Sequence, residues 1–257
     1  MKITFMTHRG SFRAENQDAL QISEELRTGD MAAPETREVE SFLQTPRLLS
    51  VVDGLGGHFG GGRAAEILVR HLAEGEKRFG PLLDLETDRR LLLEILNEAR
   101  EEMHSEFLRS PDLRDMGATL AGLLLRGRSA LAFNCGDCRV YRFSRGEAEK
   151  LTHDHSVVQV LVDQGEITEE EMRLHPRKNV VTSAVTLADE AFELTLKAVS
   201  RTEGDDFFLC SDGVWETLSL EELTYRLNDP DPGVEDRLFQ RLLAAGCRDN
   251  VSFIRVS

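Results

Sequence analysis

The sequence predicts a single α+β domain in which antiparallel sheets pack against helices. Segments with strand character and segments with helix character alternate in blocks, β, α, β and α again, along the 257 residues. Apolar residues make up 40% of the chain, which is enough to build an extensive core. Neither a low-complexity linker nor an internal repeat interrupts the sequence. We therefore expect residues 1–257 to form one domain.

The first part of the chain predicts two strands joined by loops. Residues 3–6 are apolar and predict a strand, whereas the polar run 8–18 and the acidic stretch 23–46 predict loop. Residues 48–52 form a continuous apolar run that stops at Asp53 and Gly54. This pattern is typical of a buried strand that ends in a turn, so Asp53 is expected at a strand end.

A glycine-rich turn and two helices are predicted next. Glycines in this turn would let a ligand approach the backbone closely. They are Gly54, Gly56, Gly57, Gly60, Gly61 and Gly62. Helical periodicity begins just after them, with apolar residues at positions 64, 67, 68 and 72. A second amphipathic pattern predicts a helix over residues 85–108.

The period changes in the second half of the chain. Runs of β-favouring residues at 119–125, 129–134 and 140–143, with a return strand after the turn at 145–146, predict an antiparallel meander. Two short helices follow, each opening with a capping residue, and we expect them to form an insertion between strands. The later elements are predicted as strands at 192–198, 207–210 and 251–256, and helices at 154–164, 168–174, 219–227 and 235–245.

Composition excludes several classes of protein. With 31 Lys and Arg against 46 Asp and Glu, the formal charge of −15 opposes binding to nucleic acid. No apolar run approaches the roughly 18 residues that span a bilayer, and the first residues lack a secretory signal, so we expect a cytoplasmic protein without membrane contact. Four cysteines are too few for a disulfide scaffold. Zinc at Cys135 and Cys138 is disfavoured because no second pair of ligands accompanies them.

Three aspartates share one setting, because each adjoins an apolar strand. Asp53 and Asp212 follow such strands, and Asp249 precedes one. If the strands are neighbours, three carboxylates converge, and their repulsion must be relieved by raised pKa values or by bound cations. Oxygen ligands suit magnesium or manganese, and the Gly54 carbonyl is a further candidate ligand. The alternative interpretation is that each aspartate ends its own strand independently.

Six short motifs extend along nearly the whole chain: Arg13-Ala-Glu-Asn-Gln-Asp18, Asp53-Gly-Leu-Gly-Gly-His58, Gly117-Ala-Thr119, Gly136-Asp-Cys-Arg139, Ser211-Asp-Gly-Val-Trp215 and Asp249-Asn250. Each motif is weak alone. Together, their order and spacing resemble the type 2C family of metal-dependent serine/threonine protein phosphatases, in its bacterial branch. The resemblance implies a four-layer α-β-β-α sandwich with two central antiparallel sheets. It also implies a flap insertion over about residues 154–180.

The resemblance further implies a set of metal ligands. Asp53 would bridge two ions, the Gly54 carbonyl would bind one of them, and Asp212 and Asp249 would bind the other. Asp137 would join Asp212 at a third, weaker position. The ions would be Mn²⁺ or Mg²⁺.

The resemblance also implies a reaction. A water that bridges two divalent ions loses a proton near neutral pH, and the resulting hydroxide attacks phosphorus in line. Asp18 would hold metal-bound water, and Asn250 would orient its neighbour Asp249. Arg13 is the candidate phosphate clamp, because its planar fork can donate two hydrogen bonds to two phosphate oxygens. Its alternative role is that of a solvated surface arginine.

Several positions depart from the family pattern. Gln17 stands where many relatives carry glutamate, so one negative charge near the metals is missing. Leu55 occupies the position of a histidine that eukaryotic relatives use as a proposed general acid, so that role does not transfer. His58, three residues later, is expected to stabilise the glycine turn rather than to act in catalysis.

Two further features have competing interpretations. Cys138 replaces a serine beside Asp137, and is either a small buried residue or a site whose oxidation lowers activity. His153, Asp154 and His155 resemble a metal triplet, but adjacent residues point in different directions, and Asp154 or Ser156 is well placed to cap a helix.

The predicted flap carries a small basic cluster, which we define as Arg173, His175, Arg177 and Lys178. In a chain of charge −15, this cluster either receives an acidic or phosphorylated substrate segment or consists of solvated helix ends.

The resemblance therefore predicts a cytoplasmic, monomeric phosphatase that acts on phosphoserine and phosphothreonine in proteins and opposes a serine/threonine kinase. Two other functions stay open, a catalytically silent binding or signalling module on the same fold and a hydrolase of small phosphate esters. A missing metal aspartate would favour the silent module, and the sequence contains all of them.

Overall fold

Two antiparallel β-sheets face each other across a shared apolar core, and helices cover both outer faces. The computed structural model describes residues 1–39, 45–188, 191–229 and 231–257, and describes the backbone alone at residues 57–59. The elements below are those of the described ranges.

The first sheet contains the chain's final strand at its centre. In spatial order it runs β4-β1-β13-β12-β8-β9, with every neighbouring pair antiparallel. The strands are β1 (Lys2–His8), β4 (Glu35–Glu38), β8 (Arg139–Ser144), β9 (Glu147–Lys150), β12 (Asp206–Cys210) and β13 (Val251–Val256).

The second sheet has the order β11-β7-β6-β5-β2-β3, and the two-residue strand β10 pairs with β6 outside this path. Its strands are β2 (Asp18–Ile22), β3 (Glu25–Thr28), β5 (Arg47–Leu55), β6 (Gly117–Arg126), β7 (Ser129–Cys135), β10 (Val185–Thr186) and β11 (Thr195–Ser200). The predicted strand at 192–198 is thus confirmed as β11, with its start three residues later than predicted.

The helices divide between the two outer faces and the flap. They are α1 (Gly57–Gly75), α2 (Leu85–Arg109), α3 (Val157–Asp163), α4 (Glu169–Met172), α5 (Asp212–Trp215), α6 (Leu220–Leu227) and α7 (Val234–Ala244). The sequence predicts all of these except α5. Four residues contribute too little periodicity to be recognised, and the equally short α4 is predicted from its capping residue, Thr168.

Strand β5 shows how the layers are built. Leu49 and Val51 belong to the core between the sheets, which also contains residues of α6 and α7, whereas Leu48 and Val52 belong to the core beneath α1 and α2. Successive side chains of a strand point to opposite faces, so a strand buried on both faces must be apolar throughout. The predicted four-layer α-β-β-α sandwich is confirmed.

The prediction of loop over residues 23–46 is wrong in part. That stretch contains β3 and β4, and β2 before it was not predicted at all; residues 40–44 lie outside the described ranges. The two short strands are polar and lie at sheet edges, where one face needs no apolar side chains. Arg37 pairs with Glu25 and Glu35 and so links the edges of the two sheets.

The prediction of one continuous antiparallel meander is wrong between β7 and β8. Strands β6 and β7 form a hairpin in one sheet, but β8 and β9 form theirs in the other sheet. Between β7 and β8 the chain turns at Gly136, whose φ of 100° is a left-handed conformation that favours glycine. This turn carries the chain from one sheet to the other.

The predicted glycine turn is shorter than expected, because α1 already begins at Gly57. A side chain at Gly54 would place its Cβ 2.2 Å from the carbonyl oxygen of Gly61. The glycines thus allow the first turns of α1 to lie directly against β5, and Gly54 and Gly56 also line the cleft described below.

Helices α3 and α4 form the flap between β9 and β10. Ser156 caps α3 by accepting from the Gln159 amide at 3.2 Å, and Thr168 with Glu171 forms a capping box on α4. In the described ranges, helices fall short of the length and apolar character needed to cross a bilayer.

A buried ion pair joins α2 to the end of β6. Arg126 donates to Asp88 at 2.5 and 2.7 Å, and each side chain is 2% exposed. Replacing Arg126 by Met leaves a buried carboxylate without a partner and should lower the free energy of unfolding by about 3–5 kcal/mol. Urea unfolding followed by circular dichroism measures this.

The exposed Arg90 provides the control, because Arg90→Met removes only a surface pair with Glu94 and should change stability by less than about 1 kcal/mol. Equal losses in the two variants would contradict the importance of the buried pair. The double variant Arg126→Met/Asp88→Leu should recover most of the loss, since neither charge is then left alone.

Candidate metal centre

The ends of β2 and β5 bring two aspartates side by side. Asp18 and Asp53 are directly opposite each other in the antiparallel register of these strands. Asp18 is 2% exposed, and its Oδ2 accepts from the Ser211 hydroxyl at 2.8 Å. Its Oδ1 has no hydrogen-bond partner among the described residues. Like charges opposite each other on a sheet are destabilising unless something neutralises them.

The other sheet contributes two more carboxylates. Asp212 is the first residue of α5 and is separated from the end of β12 only by Ser211. Asp249 is separated from β13 only by Asn250. Strands β12 and β13 are neighbours, so the two aspartates lie at the same end of the sheet. Gly213 packs tightly here, since a Cβ at this position would lie 2.0 Å from the Asn250 carbonyl oxygen.

Asn250 anchors the loop that carries Arg13. Its Oδ1 accepts from the Gln17 amide at 2.8 Å, and its Nδ2 donates to the carbonyl oxygen of Glu15 at 2.9 Å. The predicted role of orienting Asp249 gains only indirect support, since the Asn250 backbone amide, not its side chain, donates to Asp249 Oδ1 at 2.9 Å.

These residues line one cleft of about 360 Å³ at the junction of the two sheets. Its walls include every residue predicted as a metal ligand, together with Arg13, and the complete set is Arg13, Ala14, Glu15, Gln17, Asp53, Gly54, Leu55, Gly56, Asp137, Asn179, Val181, Asp212, Asp249 and Asn250. Asp18 lies behind Asp53 and does not line the cleft.

Burial and mutual repulsion raise the pKa values of the clustered carboxyls. The pKa of Asp53 is well above its usual range because of burial and then the charges of Asp18 and Asp212. The pKa of Asp212 is likewise well above its usual range, through burial and then the charges of Asp137 and Asp249. Burial also raises the pKa of Asp137 to about 7 and that of Asp18 to about 6.

Arg13 forms a bidentate ion pair with Asp249. Its Nε and Nη2 donate to the two oxygens of Asp249 at 2.9 and 2.6 Å, and this bidentate contact raises the pKa of the guanidinium. Within the described ranges, no three acidic, His or Cys side chains are already gathered closely enough to hold an ion by themselves.

The donor set nevertheless fits hard divalent cations. The four aspartates that line the cleft and the Gly54 carbonyl offer oxygen donors only. Asp18 Oδ1 is a buried acceptor without a partner in the described structure, and burial and neighbouring negative charge raise the pKa values of Asp53 and Asp212. Cations supply that charge.

Sequence reasoning missed Glu216, which lies one helical turn beyond Asp212. Its charge raises the pKa values of Asp212 and Asp137, and its own pKa is raised by burial. The Lys178 ammonium of the flap donates to one of its oxygens. The spacing of four residues on a helix after a candidate ligand is the sequence signal that could have identified it.

The His153-Asp154-His155 triplet does not converge on a point. Asp154 accepts from Arg139 at 2.6 Å, His153 contacts Asp163 of α3 at 3.0 Å, and His155 contacts the Gly136 amide. The interpretation of these three residues as a metal triplet, which the sequence already disfavoured, therefore finds no support in this part of the described structure.

The remaining sequence predictions concern Cys138, His58, Gln17 and Leu55, and only the side chain of His58 lies outside the described residues. Cys138 is fully buried, and burial raises its thiol pKa well above the usual range, which favours the structural interpretation over oxidation. Gln17 and Leu55, two departures from the family pattern, both line the cleft.

Comparison with known proteins identifies the family. A family model described as protein phosphatase 2C matches residues 40–246. The serine/threonine protein phosphatase PstP of Mycobacterium tuberculosis is 32% identical over 219 residues, which are 84% of this chain and 41% of that protein. The serine/threonine phosphatase Stp of Listeria monocytogenes is 28% identical over 100% of this chain and 95% of its own length.

A solved structure agrees with these relatives. The catalytic domain of PstP in complex with two manganese ions superposes with a TM-score of 0.75 at 27% identity, and covers 99% of this chain and 98% of that one. The chain spans about two fifths of the length of the mycobacterial relatives it matches. The chain belongs to the protein phosphatase 2C family.

The raised pKa values predict how stability depends on pH. A carboxyl whose pKa rises from 3.8 to about 6 or 7 on folding, as for Asp18 and Asp137, binds more protons when folded. In chelator, the free energy of unfolding contributed by these groups should be greatest below the usual pKa and should fall as the pH rises through about 7. Urea unfolding at a series of pH values measures this.

Asp137→Asn should flatten this dependence, because the amide does not ionise, whereas the exposed Asp231→Asn should leave it unchanged. Saturating Mn²⁺ should stabilise the wild type most at high pH, where the carboxylates are charged. A wild type and Asp137→Asn with parallel profiles would contradict the raised pKa of Asp137.

Proposed function

We propose that this chain hydrolyses phosphoserine and phosphothreonine in proteins with the help of two divalent cations. The observation that carries this proposal is the convergence of Asp53, Asp137, Asp212 and Asp249 in one cleft beside Arg13. The names of the relatives support the reaction class, since PstP and Stp are both described as serine/threonine phosphatases. The two manganese ions of the PstP structure support the cofactor.

Several residues of the cleft would hold the cations together. Asp53, the Gly54 carbonyl, Asp212 and Asp249 would hold two cations. Asp137, with Asp212, would hold a third at a weaker position. Divalent cations bound here lower the pKa of coordinated water towards neutrality and so supply a nucleophile for phosphorus.

Arg13 lines the cleft, whereas Asp18 would act from outside its lining. The Arg13 guanidinium is 55% exposed at the cleft wall, so it can reach a phosphate and donate two parallel hydrogen bonds to its oxygens. Both donors face Asp249 in the structure, so the clamp acts after exchanging that carboxylate for the phosphate. Asp18, which lies opposite Asp53 and accepts from Ser211, would hold metal-bound water through Oδ1, which has no hydrogen-bond partner among the described residues.

The flap provides the surface for a protein substrate. Arg173 donates to the carbonyl oxygens of Glu216 and Thr217 at 3.4 Å, and Lys178 pairs with Glu216, so these two members of the basic cluster are used within the protein. Arg177 is exposed and His175 partly so. We assign to these two residues the recognition of acidic or phosphorylated segments.

The proposal extends to the domain organisation, oligomeric state, opposing kinase and location of the enzyme. Residues 1–257 are proposed to act as one catalytic domain with a flap at about 154–180, as a monomer, and in opposition to a serine/threonine kinase. A cytoplasmic location is supported by the cysteines at positions 135, 138, 210 and 247, which are all free and buried.

Hydrolysis of a phosphothreonine peptide tests the central proposal. Turnover should require Mn²⁺ or Mg²⁺ and stop in chelator, and Asp212→Asn should lower kcat/KM by more than about 100-fold, since an inner ligand matters more than its outer-shell supports. Phosphate release measures both effects. The exposed Asp236→Asn on α7 is the matched control and should retain full activity. Chelator-resistant turnover would exclude the mechanism.

Charge reversal on the flap tests substrate recognition. Arg177→Glu should raise KM for acidic phosphopeptides by about two- to fivefold, the scale of an exposed charge pair, but leave hydrolysis of a small aryl phosphate unchanged. Arg128→Glu, exposed at the opposite end of the sheet, is the control for net charge. Equal effects of Arg177→Glu on both substrates would remove the recognition role.

A further inference from the structure

The turn that carries Asp137 has an unusual conformation. It joins β7 to β8 across the two sheets, and Gly136 within it has a φ of 100°. A Cβ at Gly136 would lie 2.3 Å from Thr119 Cγ2, so the turn is also closely packed. Side chains that hydrogen-bond to the backbone of this turn therefore contribute to the position of Asp137.

His155 holds this turn from the side of the flap. Its backbone amide donates to the Gly136 carbonyl oxygen at 2.9 Å, and its Nδ1 accepts from the Gly136 amide at 3.0 Å. Its Nε2 lies 2.9 Å from Thr195 Oγ1. Burial lowers the pKa of His155, which favours the neutral ring that such an Nδ1 acceptor requires. With Nδ1 accepting, the ring proton belongs on Nε2, where it is donated to Thr195.

Trp215 holds the same turn from the side of the metal centre. Its indole Nε1 donates to the Asp137 carbonyl oxygen at 3.0 Å, and it lies on α5, the helix that begins with Asp212. Its ring packs at 3.7 Å from the Arg139 guanidinium, which in turn donates to Asp154, the neighbour of His155. The hydrogen bond therefore fixes Asp137 relative to Asp212.

We propose that His155 and Trp215 are positioning residues for Asp137, which set its carboxylate at the distance from Asp212 that a shared cation requires. Neither side chain is a metal ligand in this arrangement, since His155 Nδ1 and Trp215 Nε1 bond to the backbone of the turn and His155 Nε2 bonds to Thr195. The inference rests on the proposed function, because it takes Asp137 as a ligand. Because His155 lies two residues before α3, the root of the flap contributes directly to the geometry of the metal centre.

Calorimetric titration with Mn²⁺ alone tests this proposal. Asp137→Asn defines the binding step that depends on this carboxylate. His155→Phe, which keeps a ring but removes the acceptor, should weaken that step by about tenfold, the usual effect of losing an outer-shell partner, and leave the tighter step unchanged. His155→Asn should restore most of the affinity, because its Oδ1 can take the place of Nδ1.

Trp215→Phe provides an independent variant in case His155→Phe fails to fold, and should weaken the same step. Tyr141→Phe is the matched control, since it removes a buried hydroxyl at 3.1 Å from Arg139 without touching the turn. Trp215 is the chain's only tryptophan, so its emission should change as Mn²⁺ fills the Asp137-dependent step and should not change in Asp137→Asn.

The results distinguish failure of the proposed function from failure of the positioning role of His155 and Trp215. Absence of Mn²⁺ binding by the wild type would overturn the proposed function. Binding that Asp137→Asn weakens but that His155→Phe and Trp215→Phe leave unchanged would overturn the positioning role alone. Equal weakening by His155→Phe and His155→Asn would also overturn it, because the acceptor would then be irrelevant.

Discussion

Repulsion among buried carboxylates is the constraint on which the rest of this structure depends. Asp53 and Asp212 have pKa values well above their usual range because neighbouring acidic groups add to the cost of burial. A protein gains nothing in stability from such an arrangement, and the sites where it occurs are those where cations bind or protons move. The sandwich is the scaffold that makes this crowding tolerable, since its apolar cores supply the stability that the cleft does not.

The scaffold controls the cleft through backbone register rather than through flexible side chains. Asp18 and Asp53 are opposite one another because β2 and β5 pair in one register, and a shift of one residue would turn both to other faces. Asp212 and Asp249 are brought together by the pairing of β12 with β13. Side-chain contacts then adjust the loops around these fixed points, as Asn250 does for the segment that carries Arg13.

Sequence reasoning succeeded where local pattern and tertiary packing agree. The apolar run at 48–52 is confirmed within β5, and the periodicity at 85–108 is confirmed as α2. Both could be predicted because a buried face requires apolar residues at the spacing of the strand or helix. It failed for the polar edge strands β3 and β4, and for the change of sheet between β7 and β8. These features depend on which partner a strand finds, and no local pattern records that choice.

The sequence by itself determined the identities and spacing of the acidic groups, the glycine positions that allow close backbone contact and, through its motifs, the family. Only the tertiary structure decided that Arg13 faces Asp249, that Lys178 pairs with Glu216, and that His155 and Trp215 support the turn of Asp137. The reason is physical. A motif fixes which groups are present, but a hydrogen bond between distant residues exists only once two sheets have packed and selected the geometry between them.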